Sequence, residues 1–175
     1  MSAANPNRDR QRADLPGAPL AYFLTFRTYA SWLHGDERGS VDREHNTPDT
    51  PMLPPDPRRE EAERRLAQSG PVILDREHRR IVHRTIVEVC AHNAWTIYEL
   101  SVRSNHVHVV VAAPQKPEHV MRSIKSWTTR RLREANLSPV EASVWSRHGS
   151  TRYLWKAEAL DAACRYVLDA QGEDI

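Results

Sequence analysis

The stretch that most restricts the fold of this 175-residue chain is Asn105-His106-Val107-His108-Val109-Val110-Val111-Ala112-Ala113. Five of the six residues from Val107 to Ala112 are apolar, and three of them are consecutive valines. A short β-branched run, closed by Asn105 before it and Pro114 after it, predicts a buried strand. Side chains alternate along a strand, so Val107, Val109 and Val111 take one face and His106 and His108 the other. Two imidazoles side by side on a rigid strand are half of a divalent-metal site. The plainer alternative is one exposed histidine and one that makes a hydrogen bond in the core.

The remaining elements can be placed around that strand. Leu20 to Thr28 reads as a first strand, with Tyr22, Leu24 and Phe26 on one face and Phe23, Thr25 and Arg27 on the other. Gly35 and Gly39 predict a structured loop over Tyr29 to Ser40. Five prolines between Asn46 and Pro57 rule out regular helix or central strand there and predict a mobile insertion at about 46–57. Asp56-Pro57 suits a helix start, with a short charged helix over Arg58 to Gln68.

Asp75 opens a longer helix to about Asn93, whose buried stripe is Ile81, Val82, Thr85, Ile86, Val89 and Cys90. His78, His83 and His92 lack metal-ligand spacing and read as surface or packing residues. Ala94 to Arg103 forms a strand that pairs with the histidine strand through a tight turn at Ser104-Asn105. Pro117 starts a second helix to about Asn136, with Val120, Met121, Ile124, Thr128 and Leu132 inward. Val144-Trp145 and Tyr153-Leu154-Trp155 then read as two short strands joined by a turn at Arg147-His148-Gly149-Ser150. A last helix runs from about Ala157 to Gln171 and stops at Gly172.

This order predicts an α+β fold, a ferredoxin-like or RRM-like antiparallel sheet with helices on one face and a C-terminal tyrosine-bearing helix. The polar residues 1–19 are expected to form a disordered arm, and 20–172 a single domain. No run approaches the roughly 18 apolar residues of a membrane span, and residues 1–19 hold no apolar signal-peptide core. With a mean hydropathy of -0.67 the chain is expected to be soluble, and the absence of a span and a signal points to the cytoplasm without membrane association. Cys90 and Cys164 are isolated, and predict reduced, small packing residues.

Charge is unevenly spread. From Lys116 to Lys156 nine basic residues face three acidic ones, a local net of +6 in a chain whose total is +2. Trp127, Trp145, Tyr153 and Trp155 are interleaved with them. Cations beside flat rings suit a single-stranded nucleic acid, so Arg122, Lys125, Arg130, Arg131, Arg147 and Arg152 are candidate DNA contacts. The competing reading is a solvated helix face next to core aromatics.

In the last helix Leu160, Ala163, Cys164 and Val167 form the expected buried stripe. Tyr166 lies off that stripe, on a flank made small by Ala159, Ala162 and Ala170. Of the five tyrosines, Tyr22 and Tyr98 read as packing residues within strands.

The segment Asn105-His106-Val107-His108-Val109-Val110-Val111 resembles the H-U-H motif (U apolar) of single-tyrosine transposases of the insertion-sequence-200 type, including the REP-associated tyrosine transposases. Tyr166-Val167, in a short helix ending Asp169-Ala170-Gln171-Gly172, resembles the tyrosine helix of that family. The strand Phe23-Leu24-Thr25-Phe26-Arg27, the loop from Trp32 to Gly39 and Lys125-Ser126-Trp127 are also similar, so the resemblance spans about Ala21 to Gly172. It implies cleavage and rejoining of single-stranded or hairpin DNA through a 5′-phosphotyrosine. Tyr166 would be the nucleophile, and His106 and His108 would hold Mg²⁺ or Mn²⁺. The family includes dimers with shared sites as well as monomers, so a homodimer is compatible with it.

One departure stands out. The third ligand of the family, Gln or Asn about one helical turn after the tyrosine, would fall on Ala170, which cannot ligate. Asp169 lies about 60° from Tyr166 on an ideal helix, and Gln171 some 140° away. Unwinding at Gly172 would bring Gln171 round, and the familial ending in Gln-Gly favours it, with Asp169 as the alternative. Competing functions are a replication-initiator or relaxase H-U-H nuclease and a domesticated, non-catalytic protein that binds hairpin DNA. Asp169 stands where initiators typically carry a lysine, and relaxases usually place the tyrosine near the N-terminus. The intact His106, His108 and Tyr166 argue against decay to a binding protein.

Overall fold

The computed structural model describes residues 17–31, 56–58, 61–62 and 70–169. Its elements are β1 (Ala21–Thr28), α1 (Arg76–His92), β2 (Thr96–Val102), β3 (His106–Ala112), α2 (Pro117–Glu134), β4 (Trp145–Leu154) and α3 (Ala157–Asp169). The four strands form one sheet in the order β2-β3-β1-β4, with every neighbouring pair antiparallel. That is the α+β, ferredoxin-like arrangement expected from the element order. No helix among the described residues is long and apolar enough to cross a membrane.

Both long helices start where local chemistry dictates. Asp75 caps α1, its Oδ1 accepting from the backbone N–H of Glu77 at 2.8 Å and of His78 at 3.0 Å. Pro117 opens α2, where its missing N–H costs nothing. Val82, Thr85, Ile86, Val89 and Cys90 of α1 are buried, with Ile81 partly so. On α2 all five expected inward residues are buried. These two stripes meet Tyr22, Leu24 and Phe26 of β1 and Val107, Val109 and Val111 of β3 on one face of the sheet. Each of those large apolar side chains contributes about 1.5–3 kcal/mol when fully buried, so this face holds most of the stability.

Helix α3 crosses the opposite face. Ala163 and Val167 pack on Ala21, Val110, Ala112 and Leu154, with Leu160 and Cys164 partly buried beside them. The α3 stripe is therefore as expected, but it rests on small residues.

Three expectations are corrected. Arg147 to Ser150 is no turn, because β4 is continuous from Trp145 to Leu154. A Cβ on Gly149 would come 2.6 Å from the Thr25 carbonyl oxygen and 2.7 Å from the Met121 sulfur, so this glycine allows close packing within a strand. Strand β2 starts at Thr96, not Ala94, because Ala94 takes φ +54° and turns the chain out of α1. Tyr98 is exposed at a bulge between Ile97 and Glu99 of β2, an edge strand, and is not a core residue. Asp56 Oδ1 accepts from the N–H of Arg58, and residues 57–58 and 61–62 are helical. The rest of that charged helix, most of the proline-rich insertion, the loop after Ser31 and residues 1–16 lie outside the described residues.

Candidate active site

The alternation of β3 fixes the site. With Val107, Val109 and Val111 in the main core, His106 and His108 emerge on the α3 face. Their rings are 4.7 Å apart between centroids, at 70°. Tyr166 comes down from α3 with its ring 5.6 Å from that of His108 and 5.8 Å from that of Phe23. Residues 60 positions apart in sequence are thereby brought into one cluster. His108 is 6 % exposed whereas Tyr166 is 47 % exposed, so the imidazole is held and the phenol faces solvent.

Each histidine is oriented by a neighbour through the same ring atom. His106 Nδ1 lies 2.7 Å from Asn105 Oδ1, and His108 Nδ1 lies 2.8 Å from Thr25 Oγ1. A ring that donates Nδ1–H to its oxygen has Nε2 as the atom that can ligate a metal. Asn105 is itself pinned, its carbonyl accepting from the N–H of Thr28 at 2.9 Å. The donor chemistry fits a divalent cation that takes two imidazoles and completes its shell with oxygen ligands. Among the described residues, no group of three His, Cys, Asp or Glu side chains converges, so exposed Asp169 does not join the two histidines. Gln171 lies outside the described residues.

Thr25 and Asn105 were not singled out in the sequence. The role of Thr25 depends on the register that sets it opposite His108, which no local pattern encodes. Asn105 reads as a turn residue, and its place directly before His106 is the only sequence signal. Arg27, opposite His106, and Phe23 share the same face.

The expected DNA contacts divide between the two sides. Arg152 lies opposite Phe23 in register, so it belongs to the tyrosine face. Arg147 is exposed on β4, within the strand and not in the expected turn, and Arg152 lies on the same strand. Arg122, Lys125, Arg130 and Arg131 sit on α2, across the sheet from Tyr166. Arg130 and Arg131 pair with Glu134 at 2.9 and 3.1 Å, and Arg130 also covers the Trp127 ring. Lys125 Nζ donates to the carbonyls of Ser146 and His148 at 2.9 and 3.0 Å, above the Phe26 ring. Burial pushes its ammonium down to about 8. Lys125 thus ties β4 to α2. Trp145 is a core residue whose Nε1 donates to Thr128 Oγ1 at 3.0 Å, which leaves Tyr153 and Trp155 as the exposed stacked rings of β4 and its end.

Residues 70–167, a span that includes both histidines and Tyr166, match the family model described as "Transposase IS200 like". The chain belongs to the IS200-like transposase family. It is therefore a transposase, a DNA-cleaving enzyme. The fold of this IS200-like transposase is similar to that of a Deinococcus radiodurans R1 protein whose transposase assignment is provisional. The TM-score is 0.50 at 14 % identity, over 99 % of this chain and 100 % of that one. A REP-associated tyrosine transposase bound to a REP hairpin aligns with a TM-score of 0.45 at 12 % identity, over 95 % of this chain and 70 % of that one. No curated protein matches the chain.

Proposed function

We propose that this transposase cleaves and rejoins single-stranded DNA, or the single strand beside a hairpin, with Tyr166 as nucleophile. The observation that carries the reading is the convergence of Tyr166, His108 and His106 from two elements onto one sheet face. The Tyr166 oxygen attacks a backbone phosphorus in line, forming a Tyr–O–P bond as the P–O3′ bond breaks. The phenolic proton is given up, the departing 3′ oxygen gains one, and the DNA 5′ end stays on the protein. Attack by a 3′-hydroxyl on that phosphotyrosine reverses the step and reseals a strand without ATP.

His106 and His108, oriented through Nδ1 by Asn105 and Thr25, would hold Mg²⁺ or Mn²⁺ through Nε2, with Gln171 as the third protein ligand. Such an ion supplies Lewis-acid stabilisation of charge on the scissile phosphate. Arg152 is placed to take a phosphate on the tyrosine face. Arg122 and Arg147, exposed around the β4 side, suit phosphates further along the strand. Acting on DNA fits a cytoplasmic protein.

The test is incubation of the purified protein with single-stranded hairpin oligonucleotides and Mg²⁺. The expected product is a covalent protein–DNA adduct that a denaturing gel resolves and mass spectrometry maps to Tyr166. Tyr166→Phe should bind the oligonucleotide and form no adduct. An adduct on Tyr29 or Tyr153, or cleavage by Tyr166→Phe, would assign the chemistry elsewhere.

A further inference from the structure

A second concave feature lies on the other side of edge strand β2. A cleft of about 410 Å³ opens between the first turns of α1 and β2, lined by Arg76, Arg79, Arg80 and His83 and by Leu100 to Val102. Like charges one turn apart on a helix repel, so Arg76 and Arg80 destabilise α1 unless something offsets them. The same helix does offset its cations elsewhere. Arg84 pairs with Glu88 at 3.6 Å, and Glu88 also meets Arg131 of α2 at 3.6 Å. Over the cleft, no acidic side chain among the described residues pairs with Arg76, Arg80 or His83. Arg79 spends one N–H, Nε, on the Asp75 carbonyl at 3.3 Å and keeps the rest of its guanidinium.

The cleft also borders the strand that pairs with the histidine strand. Ser101 lines it and stands directly opposite His108 in the β2–β3 register, one strand spacing of about 4.8 Å away. Three guanidinium forks, whose geometry matches phosphate, therefore flank the strand that pairs with the histidine strand, on the α1 face, with Tyr166 on the other face of the sheet. We infer that this cleft holds the phosphodiester backbone of the DNA strand entering or leaving the Tyr166 site. The cleft is thus a strand-guiding site formed by α1 and not by the basic stretch after Lys116. The inference rests on the transposase reading above and adds to it the path of the strand.

The experiment compares Arg76→Gln/Arg79→Gln/Arg80→Gln with the parent, both carrying Tyr166→Phe to prevent turnover. Binding of a labelled hairpin with single-stranded flanks is measured from 50 to 200 mM salt. Each lost phosphate contact lowers the log–log salt slope by about 0.7 for single strands. The triple variant should therefore lose about 2 from the slope. Equivalently, the affinity that the parent forfeits over this salt range should exceed that forfeited by the variant about 20-fold. A hairpin without flanks should bind both proteins alike.

Arg84→Gln, which removes a cation of the same helix outside the cleft, should leave the slope unchanged, and thermal melts confirm that each variant folds. An unchanged slope in the triple variant, with adduct formation intact in the wild type, overturns the guiding site alone and leaves the cleft to another anion, such as an acidic peptide. An equal drop with Arg84→Gln overturns it too, because the effect is then diffuse charge. No adduct and no DNA binding by the wild type would overturn the transposase mechanism and this inference together.

Discussion

The two faces of the sheet are built from the same four strands and differ in almost everything else. Under α1 and α2, β1 and β3 present Leu24, Phe26, Val107, Val109 and Val111, each essentially inaccessible to solvent. Under α3 the contacts are Ala21, Val110, Ala112 and Leu154 against Ala163 and Val167, with the polar groups Thr25, His106 and His108 alongside. Large, interdigitated side chains make the first face costly to disturb. Small side chains bring α3 close to the second and leave Tyr166 reaching past them towards His108. Alternation along a single strand thus divides the two faces, with even-numbered β3 residues on the Tyr166 side and odd-numbered ones in the main core.

The sharpest way to break this contrast is to substitute neighbours on β3. His108→Ala should abolish cleavage while the melting temperature stays near that of the wild type. Val109→Ala should cost about 2 kcal/mol of stability and leave a folded enzyme active. Wild-type activity in EDTA equal to that in Mg²⁺ would remove the metal from the mechanism, and a large stability loss in His108→Ala would remove the division between the faces.

The next largest effect compares matched truncations on the two faces by denaturant titration. Leu24→Ala should cost about 2–5 kcal/mol, because the cavity is walled by α1 and α2 and cannot collapse. Val167→Ala, on a face of alanines, should cost about 1 kcal/mol. Equal costs would mean that α3 is as firmly docked as the other helices.

Thr25→Val probes the second face without changing its shape. Losing the hydroxyl on His108 Nδ1 should lower metal affinity or cleavage about 10–100-fold, with little change in stability. Unaltered metal affinity, measured by calorimetry, would leave Thr25 as a packing residue.

The smallest effect belongs to the first face. His78 Nδ1 lies 2.8 Å from the Asp75 carboxylate and, with the capped backbone N–H groups, holds it down at about 2. A depressed acid stabilises the native state above its unfolded pKa of about 4, and that contribution fades as pH falls towards 2. Asp75→Asn should therefore flatten this part of the acid-unfolding curve and leave the stability profile between pH 5 and 8 parallel to that of the wild type. A curve unchanged below pH 4 would show that the cap is not what acid removes.

Much of the first face could be read directly from the sequence, because helix stripes such as Val82-Thr85-Ile86-Val89 and the alternating β3 valines are local patterns. The candidate site was legible in part for the same reason. His106 and His108 are two apart on a strand, and Tyr166 stands off a helical stripe. What could not be read is what depends on pairing between distant segments. The bond from Thr25 to His108, the separation of Arg122, Arg130 and Arg131 from the tyrosine face, and the cleft that sets Arg76 beside Ser101 all follow from strand order and register. Gly149 misled because a glycine among polar residues usually marks a turn. Here it marks a close approach within a strand.

That glycine acts as a register key for the edge strand. Sliding β4 along β1 by one residue would bring His148 or Ser150, each carrying a side chain, into the slot between the Thr25 carbonyl and Met121 that only a bare Cα fits. With β4 locked in this way, Leu154 must stand beside Ala21 beneath α3, and Arg152 must stand beside Phe23 at the rim of the tyrosine cluster. Because the residue that abuts Gly149 is also the residue that holds His108, a methyl group added at the outer edge of the sheet would be felt at an imidazole two strands away.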